Sequence, residues 1–164
     1  MADSLADDFR LSMRRLAATV CILTCAEEGA WFGMVATSVA AASLEPPALT
    51  VGVNRSASIH DPIRRTRLFG VNLLRSHHDA LALAFTRAPA ERFAEGRWRS
   101  GPEGLPLLAD AQASLVCAVD AELSYGSHTL FVGRLAGAAV APAVDPLLWQ
   151  DGGFAVGRPL PLPA

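Results

Sequence analysis

The chain has no lysine; all 14 basic residues among its 164 are arginines. A catalytic Schiff base and a GxxxxGK[ST] phosphate loop both need the lysine amine, so both are excluded. No apolar run approaches the ~18 residues that cross a bilayer. The first residues, "MADSLADDFR", lack the basic and then apolar layout of a secretory signal. A cytoplasmic protein without membrane association is expected. The three cysteines, Cys21, Cys25 and Cys117, have no histidine at zinc-ligand spacing. They are expected to be reduced, buried small hydrophobes, the first two on one face of a strand.

Further motifs are missing. Without G-x-S-x-G there is no hydrolase nucleophile elbow, and without G-x-G-x-x-G no Rossmann site. His60, His77 and His78 occur in no E-x-x-H or H-x-x-x-H pattern, and adjacent helical residues diverge by about 100°. No metal is expected. A net charge of −2 gives nucleic acid no bulk attraction.

What is present is apolar. The chain is 51% hydrophobic with mean hydropathy +0.29, and the surplus implies a subunit interface or an apolar ligand slot. Leu5, Phe9, Met13, Leu16 and Ala17 recur at helical spacing opposite Asp7, Asp8, Arg14 and Arg15. "ATVCILTCA" and "WFGMVATS" flank Glu28-Gly29 as a hairpin. After the break at Pro46-Pro47, "ALTVGV" reads as a third strand. Ser58 is placed to cap a short helix, "IHDPIRRTR". "LFGVNLL" is a fourth strand, "HHDALALAFTR" a longer helix, and "EGRWRSGPEGLP" a loop. "ASLVCAVDAEL" and "TLFVGRLAGAAV" are two more strands, and "GRPLPLPA" a loose tail. One domain over 1–164 is expected, with its core at 9–154 and a tail at 155–164. Strands grouped in hairpins predict a mainly β, antiparallel sheet or small barrel.

The stretch "GMVATSVAAASLEPPALTVGVNRSAS" (33–58) holds no histidine, cysteine or acidic cluster. Its hydroxyl residues gather at two strand ends, Ala36 to Ser38 and Asn54 to Ser58. Hydroxyls, free backbone N–H groups and a helix N-terminus bind anions, and Arg55 adds a planar fork for phosphate. Met34, Val35, Val51 and Val53 offer apolar flanks. A phosphate site beside an apolar slot suits a flavin nucleotide. The same residues are also ordinary turn and cap formers.

"FRLSMRRLAATVCILTC", the stretch above, "FGVNLL", "ERFAEGRW", "GLPLL" and "GSHTLFVGRL" occur in this order. Together they resemble the short-chain flavin reductase family, the reductase components of two-component flavin-dependent monooxygenases. The resemblance implies an FMN-binding split β-barrel, an antiparallel Greek key that forms a homodimer, with an N-terminal helix and two to three short helices. It implies hydride transfer from NADH or NADPH to FMN, with FAD possible, and delivery of reduced flavin to an oxygenase. The ring would run along Met34, Val35, Ala36, Thr37 and Ser38. The phosphate end would lie at Asn54, Arg55, Ser56 and Ser58. Phe85, Arg87, Arg92 and Phe93 would close over the cofactor. His128, in "GSHT" where the family reads G-D-H-T, would approach the nicotinamide. Trp149 and Phe154 match a C-terminal aromatic pair, read here as packing. Asp151 stands where the family often has arginine, which argues against an ionic role there. Two alternatives stay open: a flavin-retaining reductase of another acceptor, such as a cobalt corrinoid, and a non-enzymatic flavin- or haem-binding barrel.

Overall fold

The computed structural model describes residues 2–161; residues 162–164, the end of the expected tail, lie outside the described residues. Helix α1 (Ala2–Arg15) follows the N-terminal helical repeat, but its apolar stripe of Leu5, Phe9 and Met13 faces solvent. Strands β1 (Ala18–Thr19), β2 (Cys21–Glu27) and β3 (Ala30–Ala36) come next. β2 and β3 form the expected hairpin. Its turn, Glu28-Gly29, has φ of 50° and 80°, the left-handed pair that a two-residue hairpin favours.

Strand β4 (Val39–Leu44) is an addition to the sequence reading. Its "VAAASL" has little β-propensity; its extended shape comes from pairing with β5 (Pro47–Asn54). Then come α2 (His60–Thr66), β6 (Leu68–Leu73) and α3 (Asp79–Ala84). β7 (Trp98–Ser100) and β8 (Pro106–Leu108) make a small hairpin where a loop was expected. The long strands β9 (Ala113–Tyr125) and β10 (His128–Val140) pair throughout. β11 (Leu147–Gln150) and β12 (Gly153–Val156) form a last hairpin, which carries regular structure past the expected core limit at residue 154.

Two local expectations need correction. The N-cap of α2 is Ile59 and makes no side-chain cap bond, so Ser58 does not cap it. The expected longer helix is split into a 3-10 turn, Ser76–His78, and the six residues of α3.

Seven strands form one antiparallel sheet in the order β3-β2-β6-β9-β10-β5-β4. Its two edge strands, β3 and β4, are consecutive in the chain, with only Thr37 and Ser38 between them. Three Cα steps reach about 11 Å at most. The sheet must therefore curl until its edges nearly meet, which makes a split barrel with its seam at Thr37-Ser38. Register irregularities in β10, near Gly133 and Gly137, add the bend that such curling needs.

Leu23, Val51, Phe69 and Phe131 fill the inside of the barrel. β5 shows the two-residue period plainly, with Leu49, Val51 and Val53 buried and their neighbours half-exposed. A second core, with Ile22, Leu81, Phe85 and Leu147, lies on the other face of β2 against α3 and β11. The mainly β, split-barrel expectation agrees with this architecture.

Candidate functional site

The seam sets the geometry. Met34 packs toward the barrel core and Val35 toward the second core, as alternation along a strand requires. Ala36 is buried, whereas Thr37 and Ser38 are exposed. The Ser38 hydroxyl donates to the Gly52 carbonyl at 2.9 Å, and the Gly52 N–H donates to the Ser38 carbonyl at 3.4 Å. Asn54, which opens the second hydroxyl-rich segment, lies two residues along β5 from Gly52. Ser38 thus continues the β4–β5 register, which brings the end of the first segment alongside the strand that leads into the second.

Arg92 joins them. Its Nη1 donates to the Gly33 carbonyl at 2.7 Å and reaches the Ser58 hydroxyl at 3.4 Å, while its Nε donates to the Arg87 carbonyl at 3.1 Å. One guanidinium therefore ties the loop after α3 to Gly33, just before Met34 to Ser38, and to Ser58, the end of the second hydroxyl-rich segment. Beside it, the rings of Phe85 and Phe93 lie against the Gly33 backbone. A Cβ at residue 33 would stand 2.5 Å from Phe85 Cε1 and 2.9 Å from Phe93 Cζ. Phe85 is buried, with its ring 5.1 Å from Phe93 and 5.6 Å from Trp98. It is buried in the second core beside the cavity, packed against β3 at Gly33, and does not line the open cleft. Arg87 is exposed and pairs with Glu95 at 3.1 Å.

In the second hydroxyl-rich segment, Asn54 to Ser58, the Asn54 side-chain oxygen accepts from the Ser56 N–H and hydroxyl, both at 2.9 Å. This Asx-type turn leaves Ser56 and Ser58 on the surface. Arg55 is exposed; its side chain donates to the Gly126 carbonyl, and its N–H to the Ser127 carbonyl at 2.9 Å. The expected helix N-terminus adds nothing for an anion, since α2 has seven residues and Asp61 in its first turn. His128 sits directly opposite Asn54 in the β5–β10 register. It is exposed, with Nδ1 2.9 Å from the Ser127 hydroxyl.

On the second-core face of β3, the face that Gly33 and Val35 share, an apolar cavity of about 300 Å³ opens against Val35, Ala36 and Thr37. Leu83 and Thr86 line it from the region of α3, and Trp149 and Phe154 from the β11–β12 hairpin. Its volume is at the lower end for small-molecule sites, which suits one end of a fused ring system. Leu83 and Thr86 escaped the sequence reading because only tertiary packing brings them to β3. Trp149 and Phe154, read as packing partners, do pack edge-on at 5.2 Å, and they also form a wall of this cavity.

The cysteines take no part. All three are free and buried, and burial pushes Cys21 and Cys117 up to about 12. His77, His78 and Asp110 come together, with candidate ligand atoms within 4.8 Å of one another. The donor set does not suit a cation. His78 Nδ1 accepts the Arg75 N–H at 3.1 Å, so the proton of the neutral ring sits on Nε2, the atom facing Asp110 at 3.7 Å.

Burial, more than the neighbouring His77, lowers the His78 pKa from its ordinary 6.5. The folded state then resists protonation, whereas the unfolded chain takes up a proton as pH falls through that value. The chain should lose thermal stability between about pH 7.5 and 5.5. His78→Gln, which keeps an acceptor for Arg75, should lose less; equal slopes in both proteins would contradict this.

A family model described as "Flavin reductase like domain" matches residues 13–158. The reductase component of the FADH(2)-dependent resorcinol hydroxylase of Rhizobium sp. (strain MTP-10005) is 34% identical over 166 residues, covering 99% of this chain and 93% of that protein. The FMN reductase (NADH) RutF of Variovorax paradoxus (strain S110) is 36% identical over 146 residues, covering 88% of this chain and 81% of its own. Among solved structures, a nitrilotriacetate monooxygenase component B homologue from Mycobacterium thermoresistibile superimposes with a TM-score of 0.91 at 25% identity. That superposition covers 100% of this chain and 93% of the other. With a matching family model over most of its length and relatives above 30% identity along nearly all of it, the chain belongs to the flavin reductase-like family.

Proposed function

We infer that this chain is an NAD(P)H-dependent flavin reductase that passes reduced flavin to a separate oxygenase component. The observation that carries this reading is the seam. An apolar cavity lined by Thr37 adjoins the two-residue gap Thr37-Ser38, Ser38 bonds to Gly52 two residues before Asn54, and Arg92 spans from Gly33 to Ser58. A flavin nucleotide has one apolar ring end and one phosphate end, and both find partners here.

When bound, the flavin accepts a hydride from the nicotinamide. The protein's work is placement. Val35, Ala36 and Thr37 would hold the ring end against the cavity, and backbone N–H groups near Ala36 to Ser38 would stabilise the negative charge that gathers on reduction. Asn54, Ser56 and Ser58 offer donors to the phosphate, with Arg55 and Arg92 as the cations. Met34, from inside, backs the strand. Arg87, Arg92 and Phe93 form the loop that covers the site, and Phe85 props it. His128, exposed opposite Asn54, is positioned to contact the nicotinamide. One relative is named for FMN and NADH and another serves an FADH(2)-dependent hydroxylase, so FMN is the first flavin to test and FAD the second.

The functional unit is a homodimer of one-domain chains. The uncovered stripe of α1 and an open apolar trough of about 350 Å³, lined by Val39, Leu44, Leu115 and Leu135, support this. Among the described residues no helix is long and apolar enough to cross a membrane. Three buried reduced thiols and the need for NAD(P)H support a cytoplasmic site of action.

The test crosses NADH and NADPH with FMN, FAD and riboflavin in a steady-state assay. Flavin-dependent nicotinamide oxidation is expected, with flavin lost on gel filtration; no turnover with any pair would refute the assignment. Sedimentation at micromolar concentration should give twice the 17.3 kDa chain mass. His128→Ala should lower kcat/KM for the nicotinamide about tenfold, the worth of one good polar contact, with little change in flavin affinity. An unaltered kcat/KM would remove His128 from the site.

A further inference from the structure

The turn between β11 and β12 is Asp151-Gly152, with φ of 51° and 83°. Two left-handed residues in a row define a tight hairpin turn, and aspartate followed by glycine tolerates it well. Turn geometry accounts for the backbone but not for the partners of the aspartate. The C-terminal end of α1 meets this turn. Arg14 Nε donates to Asp151 Oδ1 at 3.1 Å, and Arg14 Nη2 donates to the Asp151 carbonyl at 2.8 Å. The Asp151 N–H donates back to the Arg14 carbonyl at 2.8 Å, and Arg15 stands 3.9 Å from the same carboxylate. Asp151 thus has an ionic role, contrary to the expectation from the sequence, because α1 brings Arg14 and Arg15 to the turn.

This contact holds more than a turn. Trp149 and Phe154 face each other in the β11–β12 register and form one wall of the cavity at Val35 to Thr37. The pairing of β11 with β1 is only two residues long. The apolar stripe of α1 is exposed, so burial does not anchor the helix. Two side-chain bonds and one backbone bond make the helix end and the hairpin a single mechanical unit. With side chains 54% and 62% exposed, the charge attraction is screened and weak by itself; the value of the contact is directional.

We propose that Arg14 and Asp151 are positioning residues for the ring pocket: their clamp sets how closely the Trp149–Phe154 wall stands to Val35–Thr37, and so how tightly flavin is held. The proposal rests on the flavin reading of that cavity. It assigns the N-terminal helix a role in the site, although no residue of α1 lines the cavity.

Arg14→Ala removes the clamp, Asp151→Asn keeps the left-handed turn and removes the charge, and Arg14→Lys keeps the charge. Each is made with Trp149 present and with Trp149→Phe, so that the difference isolates the Trp149 signal. Without flavin, acrylamide quenching of Trp149 should rise about twofold in Arg14→Ala and Asp151→Asn, and less in Arg14→Lys. With flavin, Kd and KM for flavin should rise about threefold to fivefold while kcat stays within about twofold, the size of one exposed bidentate pair. Quenching and flavin Kd equal to wild type in both variants would overturn the proposal, as would an equal fall in kcat without a change in Kd. A wild-type chain that binds no flavin refutes the flavin reading instead, and the quenching arm then decides the clamp by itself.

Discussion

Asn72→Leu should be the most destabilising single substitution in the barrel, at about 3 kcal/mol or more. Asn72 is fully buried on β6, within the "FGVNLL" motif. Its side-chain oxygen accepts the Leu108 N–H at 2.8 Å and the Ser114 hydroxyl at 3.0 Å. Its amide donates to the Ile22 carbonyl at 3.2 Å and approaches the Thr24 hydroxyl at 3.5 Å. Thr24 in turn donates to the Pro106 carbonyl at 2.7 Å. One side chain therefore stitches β2, β6 and β9 to the β7–β8 hairpin. Leucine has a similar size but leaves the Leu108 N–H buried without an acceptor and deprives Ser114 of one partner. Each such loss costs about 1–3 kcal/mol. For a domain of this length the midpoint of thermal unfolding should fall by roughly 6–12 °C. A drop below about 3 °C would mean that the network is replaceable. Flavin turnover per folded molecule should change little, because Asn72 does not reach the seam.

Gly33→Ala should have the largest effect on flavin binding among changes that never touch the ligand. The added Cβ would meet the ring of Phe85, which is 2% exposed and packed between Phe93 and Trp98. Ring and strand cannot both stay. Overpacking of this kind costs about 1–3 kcal/mol. The displacement falls on the residue whose carbonyl accepts Arg92. If that bond breaks, the loop loses its hold on Gly33 and Ser58 together. The flavin KM should rise more than about tenfold, the factor that one lost charge-assisted bond implies. Phe85→Leu added to Gly33→Ala, which opens room for the methyl group, should recover much of the affinity. A double variant no better than the single one would show that the effect arises elsewhere. The glycine before Met34 is therefore explained by the aromatic rings packed against it in the second core.

Parts of this fold were legible because local chemistry and tertiary structure agree. The β2–β3 hairpin has β-forming residues on both sides of a Glu-Gly turn. The β9–β10 hairpin closes at Gly126, whose φ of 54° suits the turn. β4 was not legible, since alanine and serine carry no strand signal and pairing with β5 alone extends them. The aromatic hairpin at the C-terminus was half legible. Asp151-Gly152 marks a turn, but nothing near it in the chain announces Arg14, 137 residues away.

The candidate site divides the same way. Thr37, Ser38, Ser56 and Ser58 stood out as hydroxyls at strand ends, a pattern visible in one dimension. Their juxtaposition depends on the β4–β5 register at Ser38 and on Arg92 reaching from Gly33 to Ser58, and no local signal encodes either contact. The cavity wall of Leu83, Thr86, Trp149 and Phe154 is assembled from two distant segments. By itself the sequence determined the antiparallel β class, the turns and the ordered motifs of a flavin reductase, because these depend on propensity and pattern over a few residues. Only the tertiary structure decided that Arg92 bridges Gly33 to Ser58, that Phe85 packs against the strand at Gly33, and that Arg14 grips the aromatic hairpin. Those are contacts between residues far apart in the chain, and closure of the barrel around one core selects them.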